Sequence, residues 1–390
     1  MKGPFMSDLQ AQIDWIARLV RHDTTSRNSN LNLIEDVEGY LAEHGVASTR
    51  VSNEDGTKAN LYFTVGPAVE GGVVLSGHTD VVPVDGQPWD TDPWQVIEKD
   101  DKLYGRGTAD MKTFSAIGLS LLPDMLAAGL KRPIHFALSY DEEVGLLGAP
   151  AMIEEIRDLV PAPTAVIVGE PTDMQVVDGQ KGIALFRTEI TGQEAHSSQP
   201  HRGASAIMAA GRLMAKIHEM VERRRLSADE TSPFMPPYTT MSVGVIEGGT
   251  APNILARRCG FTWDVRTVPG DSVADIVAEF NAEAEAVLAE MRAIAPDCEI
   301  TTEKLADGPP LMPQADNPAA ELAHALTGAN GRQSVSYAAE AGQFQEAGFA
   351  TVICGPGSID QAHQPNEFIT MSQVAEGTRF MKGLIRHLSE

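Results

Sequence analysis

Apolar residues at helical spacing open the chain. Leu9, Ile13, Ile16, Leu19 and Val20 share one face of a helix predicted over 9–21, and 33–43 repeats the pattern. Short apolar runs at 59–65 and 72–76 then read as strands. A long apolar stretch over 113–128 predicts a helix that starts just after Asp110 and is interrupted near Pro123, which lacks the amide a helix interior needs. Strand 133–140, helix 149–157 and strand 164–168 continue the alternation. Strands alternating with helices predict an α/β sheet.

The pattern changes near Gln180-Lys-Gly182. Residues 183–191 alternate apolar and polar, as a half-exposed strand does, and 205–222 returns to helical spacing. Strands are predicted at 239–246 and 258–265. Asp271-Ser272 supplies an N-cap for an Ala/Glu-rich helix to about 293. This strand–helix–strand–strand–helix unit is α+β. After Pro309-Pro310 the earlier style resumes, with helix 317–326 and strand 351–354. The expected organisation is therefore a discontinuous main domain, 1–182 and 299–390, with a smaller domain inserted at 183–298. Two domains also suit 390 residues.

A formal net charge of −24 repels phosphate backbones and anionic membranes, so neither nucleic acid nor membrane is an expected partner. No apolar run reaches membrane-spanning length. Cys259, Cys298 and Cys354 are odd in number and far apart, which fits a reducing cytoplasm rather than a disulfide framework. Residues 1–5 read as an extension ahead of Met6, without a basic-then-apolar signal pattern.

The chemistry gathers after the strands. His78 and Asp80 follow one apolar run, Glu142-Glu143 a second and Glu170 a third, and His363 lies beyond a fourth. In open α/β sheets that rim is where ligands collect. Imidazole and carboxylate are donors suited to zinc, and two adjacent cations need a bridging acid. Asp110 suits the bridge, because it precedes a helix and Gly105-x-Gly107 lets backbone approach. His78 and Glu170 would complete one ligand set, Glu143 and His363 the other. Glu142 is left beside the cations to take a proton from water. Asp80 would hydrogen-bond His78 and fix its tautomer.

Ser76-Gly-His-Thr-Asp-Val-Val-Pro83, Gly105-Arg-Gly-Thr-Ala-Asp-Met-Lys112, Asp141-Glu-Glu143 and Gly169-Glu-Pro171 closely resemble the zinc deacylase/peptidase family, over nearly the whole chain. The resemblance implies a zinc-peptidase-like catalytic domain with a mixed sheet flanked by helices, and an inserted lid and dimerisation domain that pairs two copies through edge strands and the 205–222 helix. It implies the same metal ligands, with two divalent ions, zinc or else cobalt, and Glu142 as general base. Gly192-Gln-Glu-Ala-His-Ser-Ser198, Gly248-Gly-Thr-Ala-Pro-Asn-Ile254 and the loop from Cys354 to His363 extend it. By resemblance His196 polarises the amide oxygen, Arg266 binds the substrate carboxylate, Asn253 hydrogen-bonds the substrate, and Gly355 and Gly357 shape the pocket wall. The implied substrate is an N-acyl amino acid, N-acetyl-ornithine foremost, with other acyl amino acids or peptides as the alternative. Ala339 stands where the resembling loop Glu340-Ala-Gly-Gln-Phe344 is preceded by threonine. A cis peptide after Asp110 is also implied.

Overall fold

The computed structural model describes residues 9–390, so the extension read at 1–5 lies outside the described residues. The chain forms two compact units: 1–179 with 311–334 and 339–390, and 180–310 with 335–338.

In the larger unit, α1 (Gln10–Val20) and α2 (Leu31–Glu43) precede β1 (Ser48–Ser52), β2 (Ala59–Val65) and β3 (Val73–His78). Then come β4 (Ile97–Lys99), β5 (Lys102–Tyr104), α3 (Lys112–Ser120), α4 (Leu122–Ala127), β6 (Ile134–Ser139), α5 (Ala149–Leu159), β7 (Ala165–Pro171) and β8 (Val177–Gln180). The smaller unit holds β9 (Gly182–Thr191), α6 (Ala206–Leu226), β10 (Thr240–Gly248), β11 (Arg258–Thr267), α7 (Val273–Ile294) and β12 (Glu299–Gly308). The chain closes with α8 (Pro318–Thr327), β13 (Gln333–Val335), α9 (Ala341–Glu346), β14 (Thr351–Gly355), β15 (Phe368–Thr370) and α10 (Met371–Ser389).

The main sheet runs β1-β2-β6-β3-β7-β14-β8-β13, with β3, β6, β7 and β14 parallel at its centre, β1 antiparallel to β2, β2 antiparallel to β6 and β8 antiparallel to β14. Strands β3, β6 and β7 are buried along their whole length, as strands covered on both faces must be. This is why they read as unbroken apolar runs. Leu75, Phe136, Ile167 and Val352 join Ile16, Phe114, Ile117 and Phe380 of the helices in one core. Phe114 packs so closely on β7 that a Cβ at Gly169 would come within 2.1 Å of its ring. The interruption expected near Pro123 falls at Leu121, between α3 and α4, with Pro123 in the first turn of α4.

The smaller unit is a four-stranded antiparallel sheet, β10-β11-β9-β12, with α6 and α7 packed on one face. Burial alternates residue by residue along β9 and β11, so one face meets the helices and the other does not. Phe186, Trp263, Phe280, Leu213 and Val287 fill that core. The Ser272 hydroxyl accepts from the Asp275 amide at 3.2 Å, the expected N-cap of α7.

The expected limit of this unit at 298 falls one strand short. Residues 299–308 form β12, paired with β9, and the unit runs to Pro310. As an edge strand with mostly polar, exposed side chains, β12 carries little apolar signal. The stretch 340–344, read as a loop, is largely the short helix α9. All three cysteines are free and buried. No helix among the described residues is long and apolar enough to cross a membrane.

Candidate metal centre

Parallel strands in the order β6-β3-β7-β14 point their carboxyl ends to one rim, and the expected ligands stand there. His78 is the last residue of β3, Glu170 lies near the end of β7, and Glu142-Glu143 follow β6. His363 lies in the loop between β14 and β15, and Asp110 in the turn before α3. His78 Nε2 is 3.0 Å from Asp110 Oδ1 and 3.7 Å from Glu170 Oε1. His363 Nε2 is 3.3 Å from Asp110 Oδ2 and 3.0 Å from Glu143 Oε2. The two histidines, 285 residues apart in sequence, thus face the two oxygens of one carboxylate.

Two donor groups result: His78, Asp110 and Glu170, and Asp110, Glu143 and His363. Ligand atoms about 2.1 Å from a tetrahedral ion lie about 3.4 Å from one another. The separations above bracket that value. Glu170 Oε1 and Glu143 Oε1 are buried without a hydrogen-bond partner in the chain, as atoms awaiting a ligand would be. The donor set and its spacing therefore fit a pair of divalent cations.

Electrostatics agree. Burial, reinforced by neighbouring carboxylates, drives the Glu142 and Glu170 carboxyls well above the usual range. The same causes raise Glu143 to about 7. Burial alone would lower His78, but Asp110, Glu170 and Glu142 raise it well above its ordinary value. Hydrogen bonds to Asp110 and Glu143 push His363 up to about 10. Burial pushes Asp110 upward, yet His363 and His78 hold it below the usual range. Four carboxyls crowd two imidazoles, and cations are the natural complement to that excess of negative charge.

Glu142 belongs to neither donor group. Its placement comes from Asp80, and here the geometry revises the expectation. His78 Nδ1 bonds to the main-chain carbonyl of Asp80 at 2.8 Å, while the Asp80 carboxylate stays 3.6 Å from that nitrogen. The carboxylate instead accepts from the Ser26 hydroxyl at 2.7 Å, the Glu142 amide at 3.2 Å and the Glu143 amide at 3.3 Å. Asp80 thereby ties the Glu142-Glu143 loop to the end of β3. Lys58 Nζ contacts Asp141 Oδ1 at 2.6 Å, next to a backbone turn at φ +55°.

Gly355 and Gly357 meet steric demands. A Cβ at Gly355 would fall 2.0 Å from the Gly169 carbonyl, and Gly357 adopts φ +96°. The Asp110–Met111 peptide is cis, as the resemblance implies. His196, Asn253 and Arg266 lie in the smaller unit. Within it, exposed His196 bonds the Ser198 hydroxyl at 2.8 Å, the Asn253 carbonyl accepts from the Ser197 amide at 2.9 Å, and Arg266 Nε pairs with Asp264 at 3.0 Å.

Three buried groups have no role assigned from sequence, although Arg106 and Glu340 lie within the motifs quoted above. Glu340 accepts from the Ser76 hydroxyl at 3.3 Å, and burial lifts it to about 6. Arg106 and Glu367 form a buried ion pair at 2.7 Å beside the Asp110 turn. Arg106 is part of the Gly105–Lys112 motif, whereas the signal for Glu367 is its nearness to His363.

Residues 74–387 match the model of Peptidase family M20/M25/M40. The chain belongs to this family. Among curated members, the acetylornithine deacetylase of Myxococcus xanthus is 35% identical over 397 residues, covering 98% of this chain and 99% of that protein. That of Proteus mirabilis is 34% identical, covering 98% and 96%. Among solved M20 structures, the metallo-carboxypeptidase Sso-CP2 of Sulfolobus solfataricus superposes with a TM-score of 0.76 at 17% identity, covering 97% of this chain and 99% of that one. Its likeness carries the fold: a mixed sheet flanked by helices.

Proposed function

We propose that this M20 chain removes the acetyl group of N-acetyl-ornithine, giving ornithine and acetate, as the names of its curated relatives suggest. One observation supports the chemistry above the rest. The Asp110 carboxylate is shared between His78 and His363, and Glu142 stands outside both donor groups.

His78, Asp110 and Glu170 would hold one cation, and Asp110, Glu143 and His363 the other, with zinc or cobalt suited to the imidazole–carboxylate set. When bound, such cations acidify water and polarise a carbonyl. Asp80 presents the Glu142 carboxylate through its amide. Glu142 takes the proton of the attacking water and returns it to the leaving amine. Its burial among carboxylates favours holding that proton between the two transfers. His196 would donate to the developing oxyanion, Arg266 would take the substrate carboxylate through its planar fork, and Asn253 would hydrogen-bond the acyl amino acid. Gly355 and Gly357 would line the pocket. Pairing of two chains through the smaller unit and a cytoplasmic location complete the proposal.

Hydrolysis of N-acetyl-ornithine, with and without chelator, tests it against a panel of dipeptides and N-succinyl amino acids. A preference for N-acetyl-ornithine that chelator abolishes is expected. Comparable rates on dipeptides would overturn the substrate assignment.

A further inference from the structure

We propose that Glu367 and Arg106 form a positioning clamp that holds the Asp110 and His363 loops in register and so sets the affinity of the second cation position. This rests on the two-cation reading above. Glu367 is wholly buried and its carboxylate is fully engaged. Oε1 accepts from the amides of Gly107 at 3.1 Å, Ala109 at 2.7 Å and Asp110 at 3.1 Å, and Oε2 accepts from Arg106 Nη1 at 2.7 Å. The Glu367 carbonyl accepts from the Gly105 amide at 3.0 Å. Backbone amides converging on one oxygen make an anion nest. The nest needs Gly107 at φ +86°, where a Cβ would press on Val81 and Lys112 at 3.0 Å. The carboxylate thereby fixes the backbone from which Asp110 projects.

The same pair reaches the other loop. Arg106 Nη2 donates to Gln87 Oε1 at 2.6 Å, and Gln87 Nε2 donates to the His363 carbonyl at 2.8 Å. Arg106 Nη1 also reaches the Gln364 carbonyl at 3.4 Å. His363 sits at φ +63°, a conformation that a non-glycine residue keeps only when its surroundings enforce it. Two ligand loops distant in sequence are therefore tied to one buried ion pair. His78 and Glu170 draw their placement from the sheet itself, so the clamp bears mainly on the Asp110–Glu143–His363 position.

A merely structural pair would affect melting alone, whereas a clamp changes one binding step. The test titrates chelator-treated full-length protein with Zn(II) by calorimetry, comparing the unaltered chain with Glu367→Gln and Gln87→Ala. Two equivalents are expected for the unaltered chain. Glu367→Gln should keep the first and weaken the second by about tenfold or more, the usual effect of losing a group that orients a ligand. Gln87→Ala breaks the link to His363 without burying a charge. It should weaken the second equivalent by less than Glu367→Gln and lower the melting temperature by less, because the Arg106–Glu367 ion pair stays intact. Gln87→Ala decides the matter if Glu367→Gln does not fold. Unaltered second-site affinity in the folded variants, beside two equivalents in the parent, overturns the clamp alone. A parent chain that lacks the second equivalent overturns the clamp together with the two-cation reading.

Discussion

The two halves of the candidate metal centre share Asp110 but are built differently. His78 and Glu170 stand on strands buried along their whole length, with side chains only 1% and 6% exposed. Glu143 and His363 stand on loops, and the His363 side chain is 52% exposed. The first position takes two of its three ligands, His78 and Glu170, from the sheet ladder. The second depends on hydrogen bonds that discipline loops: Asp80 and Lys58 around Glu142-Glu143, and the Arg106–Glu367 pair around His363. A strand-borne position is preorganised, while a loop-borne one can be adjusted and exchanged.

The largest expected effect falls between the halves. Glu142→Gln should lower kcat by about a thousandfold or more, within the usual range for a general base, while both metals stay bound. Parallel turnover and metal assays check this. Metal loss with retained turnover would move Glu142 into a ligand role.

The comparison itself is tested in metal-free protein. His78→Ala leaves Asp110 and Glu170 buried without their imidazole, at a cost of about 3 kcal/mol. His363→Ala removes a half-exposed partner and should cost less than about 1 kcal/mol. Urea denaturation in chelator measures both, and equal losses would erase the asymmetry.

His135 sharpens the electrostatic half. Like His78 it is 2% exposed, but its Nδ1 meets the Thr64 hydroxyl at 2.8 Å and burial alone lowers it to about 4. Its folded-state value lies below the unfolded one, so the unfolded chain takes the proton first. Stability from this group is complete above about pH 6.5 and is lost as pH falls through about 4, by at most about 3 kcal/mol. Replacing it as His135→Gln should flatten that part of an acid-denaturation profile. An unchanged profile would show that burial does not govern His135.

The smallest effect concerns the Glu142 loop. Lys58→Met frees Asp141 and should lower kcat by about tenfold without changing metal content. Unchanged kcat would leave Asp80 as the only tie that matters.

Much of the first position was legible because its strands are continuous apolar runs that end in small residues and ligands. The second was legible only through residue type, since nothing in the 354–367 stretch reveals where its loop folds. The roles of Glu367 and Arg106 are not legible in sequence because their partners are mostly backbone amides and carbonyls, which every residue possesses. Strand β12 was missed for a related reason: its mostly polar exposed side chains hide a ladder formed by backbone. Asp80 was assigned to the right neighbourhood with the wrong atom, since a main-chain carbonyl two residues on competes equally well for the imidazole.

Anomalous diffraction from zinc-loaded crystals is the most direct measurement. Two peaks about 3.5 Å apart, one on each side of the Asp110 carboxylate, are the predicted result. A single peak, or a second one that does not touch Asp110, would contradict the shared bridge.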